Sequence, residues 1–131
     1  MGTRITGRLV TGLREAQGFT QLDWARTQFI EKLGIDPYPG TVNLELDDPA
    51  ELARWMEVRN APGIVMEPPG AGWCNGRCYK VRIAGQIPGA IILPEMPDYP
   101  AAKLEIISPV GVRDALGIVD GDLVTVELQD G

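Results

Sequence analysis

The stretch Gly34-Ile35-Asp36-Pro37-Tyr38-Pro39-Gly40-Thr41-Val42-Asn43-Leu44-Glu45-Leu46 places two prolines and a glycine directly before a short alternating segment. Proline fixes φ and removes a backbone donor, so the approach to that segment is stiff. The segment from Thr41 to Leu46 reads as a strand, and alternate strand side chains share a face. Thr41 and Asn43 therefore present a hydroxyl and a carboxamide in the same direction. Such a pair is either a stable loop-to-strand junction or two oxygen ligands held ready.

Upstream, Gly34 sits where a helix stops, at a C-cap position. Ala25, Phe29 and Leu33 recur at four-residue spacing with Ile30 beside them, and Asp23 is the N-cap the pattern suggests. Arg4 to Val10 alternates as a strand, and a loop from Thr11 to Gly18 follows. Downstream, Asp48-Pro49 places a capping carboxylate before proline at the first helical position, with Leu52, Trp55 and Met56 on the apolar face. Residues 62–72 are rich in Pro and Gly around a brief strand at Ile64 to Met66. Asn75-Gly76 is the preferred pair for a two-residue hairpin turn, and Tyr79 to Ile83, Gly89 to Pro94 and Lys103 to Ile107 read as strands. Ser108-Pro109 repeats the cap-plus-proline arrangement, with Val112 and Leu116 as the buried side and Gly117 as the stop. Asp120-Gly121-Asp122 marks a turn before a strand from Leu123 to Leu128. Six or so short strands, about three short helices and many turn residues predict a mainly β fold, a closed barrel with helices at its ends. Nothing divides residues 1–131, so one domain is expected.

The chain has 131 residues, 44% hydrophobic and 23% charged, enough for a core without disulfide or metal staples. No apolar run reaches membrane-spanning length and MGTRITGRLV lacks a signal-peptide core, so a cytoplasmic protein without membrane contact is expected. A formal charge of −6 argues against nucleic acid as a partner, while leaving room for a phosphate held by a few local donors. The hairpin reading sends Cys74 and Cys78 to opposite sheet faces, as two reduced thiols. With no histidine, Ser-His-Asp and Cys-His catalysis is excluded, and the P-loop pattern does not occur.

The order of these pieces resembles the archaeal CTP-dependent riboflavin kinases. The resemblance is carried by Gly7-x4-Gly12-Leu13, Phe29-x3-Leu33-Gly34, Pro37-Tyr38-Pro39-Gly40-Thr41-Val42-Asn43-Leu44 and Gly89-Ala90-Ile91-Ile92-Leu93-Pro94. It continues through Leu104-Glu105-Ile106-Ile107-Ser108-Pro109, Arg113-Asp114-x-Leu116-Gly117 and Asp120-Gly121-Asp122. It implies a six-stranded cradle-loop barrel that moves the γ-phosphate of CTP onto the ribityl 5′-hydroxyl of riboflavin, giving FMN and CDP. Thr41 and Asn43 take the family's places for holding Mg2+, an ion that prefers oxygen ligands and keeps several waters. Glu105 takes the place of the glutamate beside the accepting hydroxyl, where a carboxylate orients that hydroxyl or accepts its proton. The loop Leu13, Arg14, Glu15, Ala16, Gln17, Gly18 and the helix start Val110, Gly111, Val112, Arg113 correspond to the nucleotide contacts.

The chain departs from the family pattern at three places. Arg14 and Ala16 stand where glycines let backbone approach the nucleotide, Gly111 stands where a lysine is usual, and Pro97 replaces a flavin-side threonine. Two further readings stay open beside the kinase. One is a kinase of this fold with another acceptor or donor; the other is a barrel that binds flavin, nucleotide or a protein partner without catalysis.

Overall fold

The computed structural model describes residues 2–12, 19–70 and 75–129. Seven strands form the sheet: β1 (Arg4–Val10), β2 (Val42–Glu45), β3 (Ile64–Met66), β4 (Gly76–Ile83), β5 (Ile87–Pro94), β6 (Lys103–Ile107) and β7 (Leu123–Leu128). The helical segments are α1 (Asp23–Gln28), continued by a π-helical turn at Phe29–Leu33, α2 (Pro49–Val58) and α3 (Val112–Leu116). The strands run in the order β4-β5-β6-β2-β1-β7, and a β4–β7 pairing closes this six-stranded antiparallel barrel. Closure depends on the length of β4. Its last residues, Val81 to Ile83, pair with β7, while Gly76 to Cys78 pair with β3, the extra strand.

Two apolar clusters follow from strand alternation. Ile5, Leu9, Leu44, Val81, Ile83, Ile91, Leu104, Ile106 and Val126 fill the barrel, and Trp55 of α2 and Val112 of α3 pack against them. The opposite strand faces contribute Cys78, Ala90, Ile92 and Ile107 to a second cluster covered by Ala25, Phe29 and Leu33. The four-residue spacing of those three exceeds the 3.6-residue turn of an α-helix, and the wider π turn from Phe29 to Leu33 keeps them on one face. Ile30, on the flank of that face, stays 44% exposed. Gly34 then ends the segment at φ 71°, a left-handed value that favours glycine.

Three local readings are corrected. Asn75-Gly76 does not form a hairpin: Gly76 pairs with both Met66 and Pro94, and the Asn75 carbonyl accepts the Glu95 N–H at 2.9 Å. Pairing on both edges outweighs the dipeptide's turn preference. The tight turn lies instead at Ala84-Gly85, with φ 52° and 70°, as a primed hairpin turn requires. The facing argument for the two cysteines falls with that hairpin; Cys78 is buried, and Cys74 lies outside the described residues. Ser108 does not cap α3, because its hydroxyl accepts the Val110 N–H at 3.2 Å and donates to the Val110 carbonyl at 3.0 Å. Gly111 is the N-cap residue and the helix begins at Val112. Asp23 is the first residue of α1, after Leu22 at the N-cap.

Among the described residues, no helix is long and apolar enough to cross a membrane.

Candidate active site

Where β1 ends, β2 begins and β6 ends, the barrel opens into a cleft of about 370 Å3. Its walls are Val10 to Gly12, the whole stretch Tyr38 to Asn43, Ile106 and Ser108, and Val110 to Asp114. The proline-braced corner is held from outside itself. Thr20 Oγ1 accepts the Gly40 N–H at 3.1 Å, and the Gln21 side chain donates to the Pro37 carbonyl at 2.9 Å. The Tyr38 N–H donates to the Ser108 carbonyl at 2.8 Å, which ties the corner to the exit of β6.

Thr41 and Asn43 both line the cleft. Asn43 is only 5% exposed, and its Nδ2 donates to the Thr41 carbonyl at 3.0 Å. That bond aims Oδ1 toward the Thr41 hydroxyl, which donates to it at 3.4 Å. Gly12 packs directly on the carboxamide: a Cβ there would lie 2.1 Å from Asn43 Nδ2 and 2.4 Å from its Cγ. The amide is therefore clamped between backbone on one side and its own hydrogen bond on the other. Adjacent oxygens around an octahedral ion with bonds of 2.0–2.1 Å stand about 3 Å apart. The Thr41–Asn43 oxygen pair comes close to that spacing, and hard neutral oxygens are the donor type that Mg2+ takes. Among the described residues, no group of three or more His, Cys, Asp or Glu side chains gathers to hold a metal.

Arg113 lines the cleft while donating to Asp120 at 2.5 Å and to the Val10 carbonyl at 3.2 Å. Asp120 also accepts the Thr11 hydroxyl at 2.6 Å. The Thr11 hydrogen bond, followed by that of Arg113, holds the Asp120 carboxyl below its ordinary range. This link joins the end of β1, the start of α3 and the turn before β7. Gly111 lies against Tyr38, where an added Cβ would be 3.2 Å from the ring. Val110, Gly111 and Val112 all face the same cleft.

Glu105 does not line the cleft. It is the cross-strand partner of Asn43 on one side and of Ile92 on the other, half-buried, and it accepts the Tyr99 hydroxyl at 2.5 Å. Pro97 is exposed in the segment between β5 and β6, outside the cleft lining. Leu13, Arg14, Glu15, Ala16, Gln17 and Gly18 lie outside the described residues. Reading the sequence missed Thr20, Gln21 and Tyr99, whose hydrogen bonds hold the corner and the carboxylate. The pairing of Asp120 with Arg113 and Thr11 is likewise absent from the sequence reading, which has Asp120 in a turn and in a family motif.

The chain spans little more than half the length of the curated relatives it matches. It is 46% identical to a riboflavin kinase from Methanocella arvoryzae over 123 residues, which is 94% of this chain and 56% of that protein. Identity to a riboflavin kinase from Archaeoglobus fulgidus is 41% over 128 residues, covering 95% of this chain and 54% of the relative. A third, from Pyrobaculum aerophilum, is 39% identical over 132 residues, covering 95% and 60%. The family model for CTP-dependent riboflavin kinases, described as a domain of unknown function (DUF120), matches residues 9–128. That match runs from the end of β1 through β7 and takes in every wall of the cleft; the chain belongs to the CTP-dependent riboflavin kinase family.

Proposed function

We propose that this chain is a riboflavin kinase barrel that transfers the γ-phosphate of CTP to the ribityl 5′-hydroxyl of riboflavin. The bond between the γ-phosphorus and the bridging oxygen breaks, a bond to the 5′-oxygen forms, and FMN, CDP and the hydroxyl proton result. The observation that carries this reading is the convergence of Thr41 Oγ1 and Asn43 Oδ1, 3.4 Å apart, in the wall of a cleft large enough for a triphosphate. Phosphoryl transfer asks an enzyme for positioning and charge neutralisation more than for covalent chemistry.

Thr41 and Asn43 are the residues that would hold Mg2+, which when bound neutralises charge on the phosphate oxygens. Gly12 and the Thr41 carbonyl keep the Asn43 carboxamide from rotating away. The loop Leu13 to Gly18 and the backbone from Val110 to Arg113 hold the nucleotide in this reading. Glu105 and Pro97 face the flavin, with Glu105 orienting the 5′-hydroxyl or accepting its proton. Asn43 lines the cleft and is the cross-strand partner of Glu105, which supports a reading in which the donor and acceptor sides adjoin across one strand pair.

The test is FMN formation by the purified chain with riboflavin, Mg2+ and each of the four nucleoside triphosphates in turn. FMN with CTP is expected. No FMN with any donor, together with saturable flavin binding, would overturn the proposal in favour of a non-catalytic barrel.

A further inference from the structure

Between β5 and β6, the segment from Glu95 to Ala102 carries Tyr99, whose hydroxyl donates to the Glu105 carboxylate. The segment has its own fastenings. The Glu95 N–H donates to the Asn75 carbonyl at 2.9 Å, the Tyr99 N–H to Met96 at 3.2 Å, and the Leu46 N–H to Ala102 at 2.8 Å. The Tyr99 ring is partly buried against the barrel core, and Lys103 Nζ stands 5.9 Å from its centroid. With the backbone already anchored, the hydroxyl is not needed to hold the segment. Its partner is the Glu105 carboxylate, at 2.5 Å from Oε2.

We propose that Tyr99 is a positioning residue for the acceptor: it occupies Oε2 of Glu105 and so leaves Oε1 to meet the accepting hydroxyl. This rests on the kinase reading above. A carboxylate on a flexible side chain offers two equivalent oxygens and several rotamers, and a fixed donor on one of them selects a single orientation. Burial, and then the neighbouring carboxylate, push the Tyr99 phenol far above its ordinary value. A phenol raised in this way is a protonated donor at neutral pH. Ile92, the other cross-strand neighbour of Glu105, has an apolar side chain that offers the carboxylate no donor.

The experiment compares wild type, Tyr99→Phe, Glu105→Gln and the double variant for FMN formation and for riboflavin binding by flavin fluorescence quenching. Tyr99→Phe keeps the ring and its packing while removing the hydroxyl. Its kcat is expected to fall about tenfold with riboflavin KM and Kd changed less than about threefold, as for an interaction that orders the reacting group. In the Glu105→Gln background, Tyr99→Phe is expected to change kcat less than twofold, because the carboxylate it serves is gone. Unchanged kcat in Tyr99→Phe, a loss confined to KM, or an equal loss in both backgrounds would each overturn the proposal.

Failure of the kinase reading looks different, since wild type itself then forms no FMN. A proton NMR measurement decides the pairing in that event. A slowly exchanging Tyr99 hydroxyl resonance, absent in Tyr99→Phe and displaced in Glu105→Gln, supports the positioning contact. Its absence from wild type overturns it.

Discussion

Gly12→Ala tests whether the orientation of the Asn43 carboxamide matters. The Gly12 backbone is not in the left-handed region, so alanine is admissible there conformationally and the penalty is one of space. The new methyl carbon would lie 2.1 Å from Asn43 Nδ2, 2.4 Å from Cγ and 2.7 Å from Oδ1, where ordinary contact begins at 3.4 Å. Something must therefore yield by roughly 1 Å, and a displacement of that size near reacting groups costs on the order of a hundredfold in rate. That corresponds to about 2.7 kcal/mol of activation free energy. Overpacking of this kind costs about 1–3 kcal/mol of stability, so the variant should fold but melt several degrees lower. The assay is initial FMN formation at saturating riboflavin and CTP, alongside a thermal melt of each protein. A Gly12→Ala enzyme within twofold of wild-type rate would refute the argument that the clamp on Asn43 sets the site.

Three further predictions concern the scaffold. Asp48 accepts the Ala50 N–H at 2.9 Å as the N-cap of α2, so Asp48→Ala should cost about 1 kcal/mol and lower Tm by roughly 3–6 °C. FMN formation should not change, and an unaltered melt would contradict the capping role. Asp36 and Asp120 have carboxyls held below the ordinary 3.8, Asp36 by Arg26 and Asp120 by Thr11 and Arg113. A depressed folded-state value gives stability that is present above the unfolded value and lost as pH falls through the folded one. Urea melts from pH 5 to pH 2 should therefore show a shallower acid loss in the Asp36→Asn, Asp120→Asn double variant, with the difference shrinking in high salt; parallel curves would contradict this. Burial pushes the Cys78 thiol up to about 12, so in a Cys74→Ser variant it should resist alkylation at neutral pH until urea unfolds the chain. Rapid labelling of the native protein would contradict its place in the outer apolar cluster.

Much of the barrel is legible because its strands obey simple alternation. β1, β3, β6 and β7 begin and end where the apolar pattern does. Asp48 with Pro49, and the glycines Gly34 and Gly117, mark helix ends through chemistry that acts over a few residues. The Asn75-Gly76 misreading has the converse cause. Its turn preference is local, whereas its strand state comes from β3 and β5 pairing on both edges, which no neighbouring residue announces. The same holds around the site. Strand alternation from Thr41 predicts a shared face for Thr41 and Asn43; β2 begins only at Val42, yet both residues line the cleft. Thr20 braces Gly40 from twenty residues away, and Tyr99 reaches Glu105 from an irregular segment. Arg113 lines the cleft and pairs with Asp120, a carboxylate contributed by the turn before β7.

The most direct test of the account is the Mg2+ dependence of FMN formation in Thr41→Val, which removes one oxygen and keeps the shape of the side chain. If Thr41 and Asn43 share the ion with the nucleotide, the Mg2+ concentration for half-maximal rate should rise on the order of tenfold to a hundredfold while the fold stays intact. A variant with the wild-type Mg2+ requirement and the wild-type rate would contradict the account at its centre.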